Sequence, residues 1–527
     1  MSHILLDRVT LAAPDGSVLV PEITATVAHE TVGLVGSNGC GKTTLLSAVA
    51  GDLPPLSGVI SLDGVPALMQ QGAYPEGASV AQALGAQTQL EMLERFERGL
   101  PREADHNAVD WNFPARLDEA LASVGLEALD LKRSVEGLSG GERNRLKLAE
   151  LLLRQPDILL LDEPTNDLDA DGRALIYSLL ESWDGPVLVA SHDRELLDHA
   201  DRIVELSSVG TLTVSGGWNA YEAAREAERE RASHALERAK AEEASARRAR
   251  QASIEKQQSH ARKGKETAKR RDRSSLEVNA QKERAQATSA RNRAIGADRL
   301  DHASKARANA ELDVARTTPM RIELPSCHLP AGRVVLRAAG LCGEADGQRL
   351  FGPLDLEVVG PERILICGRN GSGKSTLLRL LAGLSVPGIG QVDLDASRVA
   401  FLDQHLELLN PRETALQAMQ RLNPSLDANV VHAALARFGF RSAWSDRIVV
   451  SLSGGEKVRL ALACLFSSES APQLLVLDEP TNHLDVASVE MLEDALAGYD
   501  GAIISATHDS RFAEALRAER VLTLGDV

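Results

Sequence analysis

Two glycine-rich loops of the same pattern are the segments of this chain best suited to chemistry. They read GSNGCGKTT at Gly36–Thr44 and GRNGSGKST at Gly368–Thr376. Glycines let the backbone fold closely around a phosphate, and amides at a helix N-terminus face the anion. The lysine of such a loop reaches the β- and γ-phosphates, and the hydroxyl after it binds Mg²⁺. The predicted phosphate-binding residues are Gly36, Asn38, Gly39, Gly41, Lys42, Thr43, Thr44, Gly368, Asn370, Gly371, Gly373, Lys374, Ser375 and Thr376.

An acidic pair follows an apolar run in each half of the chain. Asp162 and Asp478 end the runs, and Glu163 and Glu479 come directly after them. An aspartate at the end of a strand can hold Mg²⁺ while the neighbouring glutamate orients and polarises an attacking water. The pattern therefore predicts hydrolysis of a nucleoside triphosphate at two places, with Thr43, Asp162, Ser375 and Asp478 at the metal ions.

A histidine follows the next apolar run of each half. The step from Asp162 to His192 is 30 residues, and so is the step from Asp478 to His508. This repeated spacing favours a contact with the γ-phosphate or the attacking water over a structural role. Two glutamines are further candidates for sensing Mg²⁺ and water, although a polar loop residue is the alternative for each: Gln71 and Gln404.

The pentapeptide LSGGE occurs once in each half, between the glycine loop and the acidic pair. Its serine and glycines can open a helix whose N-terminus points at an anion. The predicted anion-facing residues are Ser139, Gly140, Gly141, Ser453, Gly454 and Gly455.

All of these motifs recur in the same order, which predicts two α/β domains. Apolar runs precede the glycine loops, and helical patterns follow them, as in a mostly parallel sheet wrapped by helices. We expect strands at Thr31–Val35 and Arg363–Cys367, and helices that begin near Lys42 and Lys374. The expected division is a first domain at 1–216, a connector at 217–318 and a second domain at 319–527.

The first domain contains about 19 residues that the second lacks. The distance from Gln71 to Leu138 is 67 residues, whereas that from Gln404 to Leu452 is 48. We place the extra residues at about 91–114 and interpret them as a small projecting arm, with a longer surface loop as the alternative.

The connector differs from both domains in charge and composition. Residues 231–310 contain 21 Lys and Arg against 10 Asp and Glu, a net charge of +11 in a chain whose total is −17. The rest of the chain therefore has a net charge of −28. It would repel a polyanion such as nucleic acid, whereas the connector would attract it. The connector has no proline and is rich in helix formers, which predicts two long helices with a turn near Gly264, or alternatively a charged tether. The basic residues expected at the tip to bind RNA are Arg262, Lys263, Lys265, Lys269, Arg270, Arg271 and Arg273.

Bulk properties favour a cytoplasmic protein. No apolar run reaches the roughly 18 residues that a membrane helix needs, and the first residues lack a signal-peptide pattern. The five cysteines have no metal-ligand spacing, which is typical of reduced thiols.

The chain resembles the ABC-F family of twin ATP-binding cassette proteins over nearly its whole length. The resemblance implies ATP and Mg²⁺ as cofactors, and two composite sites within a monomer, in which the LSGGE of one cassette closes over the nucleotide held by the other. The loops Asn166–Asp169 and Asn482–Asp485 look like those that communicate between the cassettes. It also implies that the linker and arm bind the ribosome, namely rRNA and tRNA, near the peptidyl-transferase centre, with no membrane partner.

The sequence departs from the family pattern in two places. Asp167 stands where the second cassette has His483, which predicts modest asymmetry between the sites. No aromatic residue is evident where the family often stacks adenine, since Leu11–Ala13 and Leu341–Gly343 occupy those regions. Translation support and antibiotic resistance through ribosome protection are both compatible with the sequence. A transporter ATPase and a DNA-repair ATPase are the alternatives outside this class.

Overall fold

The computed structural model describes residues 2–525 apart from 14, 70–73, 167, 208–209, 269–274, 318–319, 346–347, 469 and 483. The chain folds into two compact units. One unit consists of Met1–Tyr221 together with Arg321–Val527, so that both cassettes belong to it. The other unit is Glu222–Met320.

The first cassette combines a small antiparallel sheet with a larger sheet that is mainly parallel. The small sheet has the strand order β2-β1-β4, and the larger one β5-β6-β7-β3-β8-β9, with only β9 antiparallel. The strands are β1 (His3–Ala12), β2 (Val18–Val27), β3 (Thr31–Val35), β4 (Ser57–Asp63), β5 (Pro66–Met69), β6 (Ile158–Asp162), β7 (Val187–Ala190), β8 (Arg202–Ser207) and β9 (Gly210–Ser215). The helices are α1 (Lys42–Ala50), α2 (Val80–Ala83), α3 (Gln87–Glu97), α4 (Asp105–Ala108), α5 (Phe113–Ser123), α6 (Gly140–Leu153), α7 (Ala170–Ser182) and α8 (Arg194–Asp198).

Two helices follow the first cassette, α9 (Trp218–Ala268) and α10 (Ser275–Thr317). They pair as an antiparallel hairpin: Arg307 binds Glu243 at 2.9 Å, and Nε of Arg229 donates to the carbonyl of Thr317 at 3.0 Å. The hairpin confirms the prediction of two long helices over the alternative of a tether.

The turn between the two helices was expected near Gly264, and the residues between the helices, 269–274, lie outside the described residues. Helix α9 continues through this glycine and ends at Ala268. One glycine inside a helix costs about 1 kcal/mol relative to alanine. That cost is small beside the preference of the surrounding alanine, glutamate, lysine and arginine residues for helix.

The second cassette repeats the architecture of the first. Its small sheet has the order β11-β10-β13, and its parallel sheet β14-β15-β16-β12-β17. The strands are β10 (Val334–Ala345), β11 (Gln348–Val359), β12 (Arg363–Cys367), β13 (Ile389–Leu394), β14 (Val399–Leu402), β15 (Leu474–Asp478), β16 (Ala502–Ala506) and β17 (Arg520–Thr523). The helices are α11 (Lys374–Leu381), α12 (Ala415–Leu422), α13 (Ala428–Arg437), α14 (Gly454–Phe466), α15 (Val486–Ala497) and α16 (Ser510–Leu516).

Apolar side chains fill both faces of each parallel sheet. In the first cassette, Leu160 and Leu188 face a core shared with β1, β2 and α1, whereas Leu159 and Leu161 face one shared with α5 and α6. The central strands β3, β6 and β7 are buried at every residue. Such strands read as continuous apolar runs, because parallel strands are covered on both faces. This packing fixes the strand ends from which the functional loops emerge.

The predicted arm region is folded into helices. The side chain of Arg95 on α3 forms two hydrogen bonds of 2.7 Å with Asp105 on α4. The ring of Phe96 lies 5.0 Å from the rings of both His106 and Trp111. These contacts tie α3 to the segment that follows it, so an irregular surface loop does not describe this region.

Candidate functional site

The first glycine loop connects β3 to α1 at positions that only glycine tolerates. Gly36 has φ +148°, and a Cβ there would lie 2.4 Å from the carbonyl oxygen of Leu206. Gly41 has φ +105° and packs against Val20. Helix α1 begins at Lys42 as predicted. The loop amides therefore lie at a helix N-terminus, where an anion is stabilised.

The second glycine loop repeats this geometry between β12 and α11. Gly368 and Gly373 have φ +156° and +89°, and a Cβ on Gly373 would lie 2.9 Å from the ring of Phe351. Helix α11 begins at Lys374, which is also as predicted. In both loops the middle glycine, Gly39 or Gly371, faces open space on the side where a Cβ would project.

Each loop lysine meets the histidine predicted from the 30-residue spacing. Nζ of Lys42 lies 3.0 Å from Nε2 of His192, and Nζ of Lys374 lies 3.0 Å from Nε2 of His508. An ammonium group only donates, so Nε2 of each ring accepts in this arrangement. Burial lowers the pKa of His192, and burial together with Lys374 lowers that of His508 to about 4. Burial thus favours the neutral form of both rings, and Nδ1 of His192 is buried without a hydrogen-bond partner among the described residues.

The hydroxyl and carboxylate expected at each Mg²⁺ are in contact. Oγ1 of Thr43 donates to Asp162 at 2.8 Å, and Ser375 is hydrogen-bonded to Asp478. Burial raises the pKa of both aspartates. Two oxygen ligands side by side near a lysine and a phosphate loop are a donor set that Mg²⁺ prefers.

The two glutamine candidates have different outcomes. Gln71 lies outside the described residues. Gln404 lies two residues after the end of β14 and is half-buried. Its role at the metal ion stays a prediction.

Glu163 and Glu479 share an unusual backbone. Their φ angles are +49° and +46°, in the left-handed region that non-glycine residues seldom adopt. Strain of this kind persists where surrounding contacts enforce it, commonly at functional sites. Here the backbone N–H of His192 donates to Glu163 at 3.3 Å, and that of His508 donates to Glu479 at 3.1 Å. The strain and these bonds hold each carboxylate beside its histidine.

Both glutamates are removed from solvent. Burial raises the pKa of Glu163 to about 8 and that of Glu479 to about 7. Oε1 of Glu479 is buried without a hydrogen-bond partner among the described residues. A desolvated carboxyl oxygen of this kind has a strong demand for a hydrogen-bond donor, which a water molecule at the reacting phosphate can supply.

The LSGGE residues form matching helix caps. Oγ of Ser139 accepts from the N–H of Glu142 at 3.2 Å, and the carboxylate of Glu142 accepts from the N–H of Ser139 at 2.7 Å. Ser453 and Glu456 form the same capping box on α14. The glutamate was missed as a functional residue, although serine followed three residues later by glutamate is a sequence signal for this cap.

The loops after the acidic pairs cross between the cassettes. The backbone N–H of Asn38, in the first glycine loop, donates to Asp485 of the second cassette at 3.1 Å. In the opposite direction, the N–H of Asn370 donates to Asp169 at 3.4 Å. We call this contact between the cassettes the seam. The closer approach of Ser453–Gly455 and Ser139–Gly141 to the opposing glycine loops stays a prediction.

Site 1, the site built around the first glycine loop, contains a cavity of about 440 Å³. The cavity brings together predicted residues from three separate segments of the chain. It adds Leu19 and Asn166, and it reaches Ala13 in the expected adenine region without any aromatic side chain in its lining. Those predicted residues are Asn38, Gly39, Gly41, Lys42, Thr43, Thr44, Asp162, Glu163 and His192.

The predicted RNA-binding residues divide into two groups. Arg262, Lys263 and Lys265 lie in the last turns of α9. The other four lie outside the described residues, namely Lys269, Arg270, Arg271 and Arg273.

The family model for ABC transporter domains matches this chain twice, at residues 23–166 and 351–482. The chain is 35% identical to the tylosin resistance ATP-binding protein TlrC of Streptomyces fradiae, over 97% of this chain and 95% of the relative. It is 31% identical to ABC transporter F family member 2 of Arabidopsis thaliana, over 94% and 73%. It is 29% identical to the energy-dependent translational throttle protein EttA of Mycobacterium tuberculosis, over 97% and 87%.

A solved complex of archaeal ribosomal stalk protein aP1 and archaeal ribosome recycling factor aABCE1 has a similar fold. The TM-score is 0.57 at 20% identity, over 98% of this chain and 87% of that chain, so the likeness concerns the fold alone. None of the described helices has an apolar stretch long enough to span a bilayer. The family model matches both cassettes, and the relatives align over nearly the whole chain. We conclude that this chain is an ATPase that belongs to the F family of ATP-binding cassette proteins.

Proposed function

We propose that this ATPase binds the ribosome in its ATP-loaded form and modulates translation. The observation that carries the proposal is a basic helical hairpin whose residues lie, along the sequence, between two complete cassettes. Residues 231–310 have a net charge of +11 in a chain of −17, so an RNA surface is attracted to the hairpin and repelled elsewhere. EttA, a relative over most of its length, is named as a translational throttle.

The residues of each site suggest how ATP drives the cycle. Mg²⁺–ATP supplies the phosphoryl group and the charge that draws the two cassettes together. Lys42 and Lys374 would hold the phosphates, and Thr43 with Asp162, or Ser375 with Asp478, would hold the metal. Glu163 and Glu479 would then orient the water, and loss of the γ-phosphate would let the cassettes part and release the ribosome. Because both cassettes lie in one chain, a monomer suffices, and we expect it to act in the cytoplasm.

The hairpin is the proposed contact with rRNA and tRNA, together with the arm. Each neutralised phosphate releases counterions, so the logarithm of the affinity falls with the logarithm of salt concentration in proportion to the number of contacts. Replacing Arg262, Lys263 and Lys265 by Gln should weaken RNA binding and flatten this salt slope by about 2–3. An unchanged slope would place the contact elsewhere. The matched control replaces three basic residues at the other end of the hairpin, namely Arg229, Arg231 and Arg238.

Co-sedimentation tests the proposal directly. The Glu163→Gln, Glu479→Gln double variant should bind ATP without hydrolysing it. We expect it to sediment with ribosomes in the presence of ATP and to inhibit translation in a cell-free system. The Lys42→Ala, Lys374→Ala variant should do neither, because it lacks bound nucleotide. ATP bound at both sites without ribosome enrichment would rule the proposal out, and enrichment with membranes or branched DNA would support another class of ATPase.

Antibiotic resistance through ribosome protection is a second candidate. It is favoured by TlrC, which is 35% identical over 95% of its length and is named for tylosin resistance. Expression of this chain in a tylosin-sensitive bacterium should then raise the inhibitory concentration of tylosin at least fourfold, and the double glutamine variant should not. An unchanged inhibitory concentration, with ribosome binding intact, would leave translation support as the function.

A further inference from the structure

We call His192 and His508 the switch histidines of site 1 and site 2. A buried arginine crosses the seam two residues after the switch histidine of site 1. Arg194 begins helix α8, two residues after His192, and its side chain is 8% exposed. Its guanidinium binds both carboxylate oxygens of Glu493 on α15 of the second cassette. The distances are 2.9 Å from Nη1 to Oε1 and 3.1 Å to Oε2 from each of Nη1 and Nη2. This fork-on-fork geometry is the strongest form of an ion pair.

Apolar contacts surround this ion pair. The guanidinium of Arg194 lies 5.8 Å from the ring centre of Trp218, the first residue of α9. Trp218 is 1% exposed and belongs to a cluster with Leu197 of α8 and Val35, the residue before the first glycine loop. Val486, the first residue of α15, packs against the same cluster. The ion pair is therefore largely buried, at 8% and 15% exposure, and lies beside an apolar cluster to which α8, α9, α15 and the end of β3 contribute.

Helix α15 has two anchors on site 1. Asp485, which caps the helix, accepts the backbone N–H of Asn38 in the glycine loop. Although burial opposes it, hydrogen bonds from Ser488 and Asn38 lower the pKa of Asp485 and keep it charged. Glu493 lies eight residues further on, about 12 Å along the helix axis. We call residues 192–198 the switch segment of site 1. One helix of the second cassette thus contacts both the glycine loop and the switch segment of site 1.

At site 2, built around the second glycine loop, the described residues at the equivalent positions form no buried ion pair. Counting from the switch histidines, Ser510 takes the place of Arg194. Counting from Asp169 and Asp485, Tyr177 takes the place of Glu493. Oγ of Ser510 donates to Glu195 at 3.2 Å, and the hydroxyl of Tyr177 donates to Asp193 within its own cassette at 3.1 Å.

We propose that Arg194 and Glu493 form a latch that positions the switch segment of site 1 and makes site 1 release its nucleotide more slowly than site 2. The guanidinium of Arg194 and the carboxylate of Glu493 compensate each other's charge only while the two cassettes are in contact at site 1. Replacing Glu493 by glutamine would leave Arg194 as a buried, uncompensated charge in the closed state. Such a change is costly because water cannot reach the charge, whereas opening the seam hydrates it. Loss of the latch therefore destabilises closure at site 1 selectively.

Release of a fluorescent nucleotide tests the latch site by site. The probe is mant-AMPPNP with Mg²⁺, a non-hydrolysable analogue. In a Lys374→Ala background only site 1 binds it, and in a Lys42→Ala background only site 2 does. Glu493→Gln should accelerate release from site 1 at least tenfold and release from site 2 less than twofold. Arg194→Lys keeps the charge without the fork and should give an intermediate rate at site 1.

Arg511→Gln is the control, because Arg511 follows His508 by three residues and also crosses the seam, to Asp198 at 2.6 Å, but the two side chains are 24% and 31% exposed. It should change release from either site less than threefold. Equal acceleration at both sites by Glu493→Gln, or an equal effect of Arg511→Gln, would show only general weakening of the seam and overturn the proposal. If Glu493→Gln does not fold, the Arg194→Lys rates at the two sites decide the question.

Discussion

The two ATP sites of this chain share their chemistry and differ in what surrounds it. Each has a lysine 3.0 Å from its switch histidine, and in each the glutamate that we predict to be catalytic has a positive φ angle. The differences lie one or two helical turns away. Arg194 in the switch segment of site 1 is replaced by Ser510 at site 2. Among the described residues, the pair of Arg194 and Glu493 is buried, whereas the pair that crosses from site 2, Arg511 and Asp198, is partly exposed. Repetition has preserved the reacting groups while the supporting residues have diverged.

A second arginine, Arg173, also distinguishes the first cassette from the second. Arg173 on α7 binds Asp193 at 3.0 Å, whereas the corresponding position in the second cassette is Val489. Asp193 caps α8 by accepting the N–H groups of Glu195 and Leu196. The switch helix of the first cassette is thus held by its own cassette as well as by Glu493. We therefore expect a firmer closed state at site 1.

Removing the catalytic glutamates should have the largest effect. Loss of a general base costs a factor of about 10² to 10⁴ in rate. We expect Glu163→Gln with Glu479→Gln to lower kcat for ATP hydrolysis at least about 100-fold. The single variants should differ, because a firmer site 1 leaves most turnover to site 2. Glu479→Gln should therefore cost more than Glu163→Gln, as steady-state phosphate release would measure, and equal losses would break the comparison.

Arg173→Gln should come next, as a loss of stability. The side chains of Arg173 and Asp193 are only 13% and 7% exposed, so the change leaves a carboxylate without its ionic partner. We expect the free energy of unfolding to fall by about 2–3 kcal/mol, measured by urea denaturation. The exposed pair of Arg98 and Glu94 provides the control, since Arg98→Gln should cost less than about 0.5 kcal/mol. Equal small losses would mean that Arg173 does not stiffen the first cassette.

The helix caps should respond alike in the two cassettes. Ser139 and Ser453 each form a capping box with a glutamate three residues later. Ser139→Ala and Ser453→Ala should each lower stability by about 1 kcal/mol, and the Asn variants should largely preserve it. Thermal unfolding measures this change. A large difference between the two alanine variants would extend the asymmetry from the surroundings to the shared motifs.

The smallest expected effect concerns the arm, which only the first cassette contains. The hydrogen bond from Arg95 is the main cause that lowers the pKa of Asp105 from 3.8 to about 2. A carboxyl whose pKa is lower in the folded state stabilises fully above its unfolded pKa. The arm should therefore be intact above pH 4 and loosen as the pH falls toward 2. Fluorescence of Trp111, which packs on Phe96, is the local probe.

Two variants complete this test of the arm. Asp105→Asn should loosen the arm at every pH and remove the acid transition. Glu103→Gln, a change of an exposed acid in the same segment, should keep it. Persistence of the transition in Asp105→Asn would assign it to another group.

The start of each glycine loop was predictable to the residue. Strands Thr31–Val35 and Arg363–Cys367, and helices from Lys42 and Lys374, appear where the sequence analysis put them. Buried parallel strands are continuous apolar runs, and a glycine loop leaves little choice about where its helix begins. The small antiparallel sheets were not predicted, because their strands depend on pairing between segments such as β1 and β4, which are distant in the sequence.

The sequence analysis placed the turn between the linker helices near Gly264, but helix α9 continues through this glycine. The sequence analysis gave a local signal, a single glycine, more weight than the composition around it. That residues 91–114 project as an arm stays a prediction, and the helices of this region were not predicted. Two contacts hold this region together: the hydrogen bonds from Arg95 to Asp105 and the packing of the Phe96 ring on the Trp111 ring. The spacing of residues in the sequence does not reveal either pairing.

The reacting groups of this protein can be read from its amino-acid sequence. The order and spacing of the glycine loops, the acidic pairs and the histidines predict two ATP sites, because the hydrolysis of a phosphoanhydride needs those groups close together. Which further residues join the sites depends on how the two cassettes pack. Arg194 and Glu493 are 299 positions apart, and each looks like an ordinary surface charge in its helix. Their burial against each other, and hence the difference between the two sites, arises only when the second cassette packs against the first.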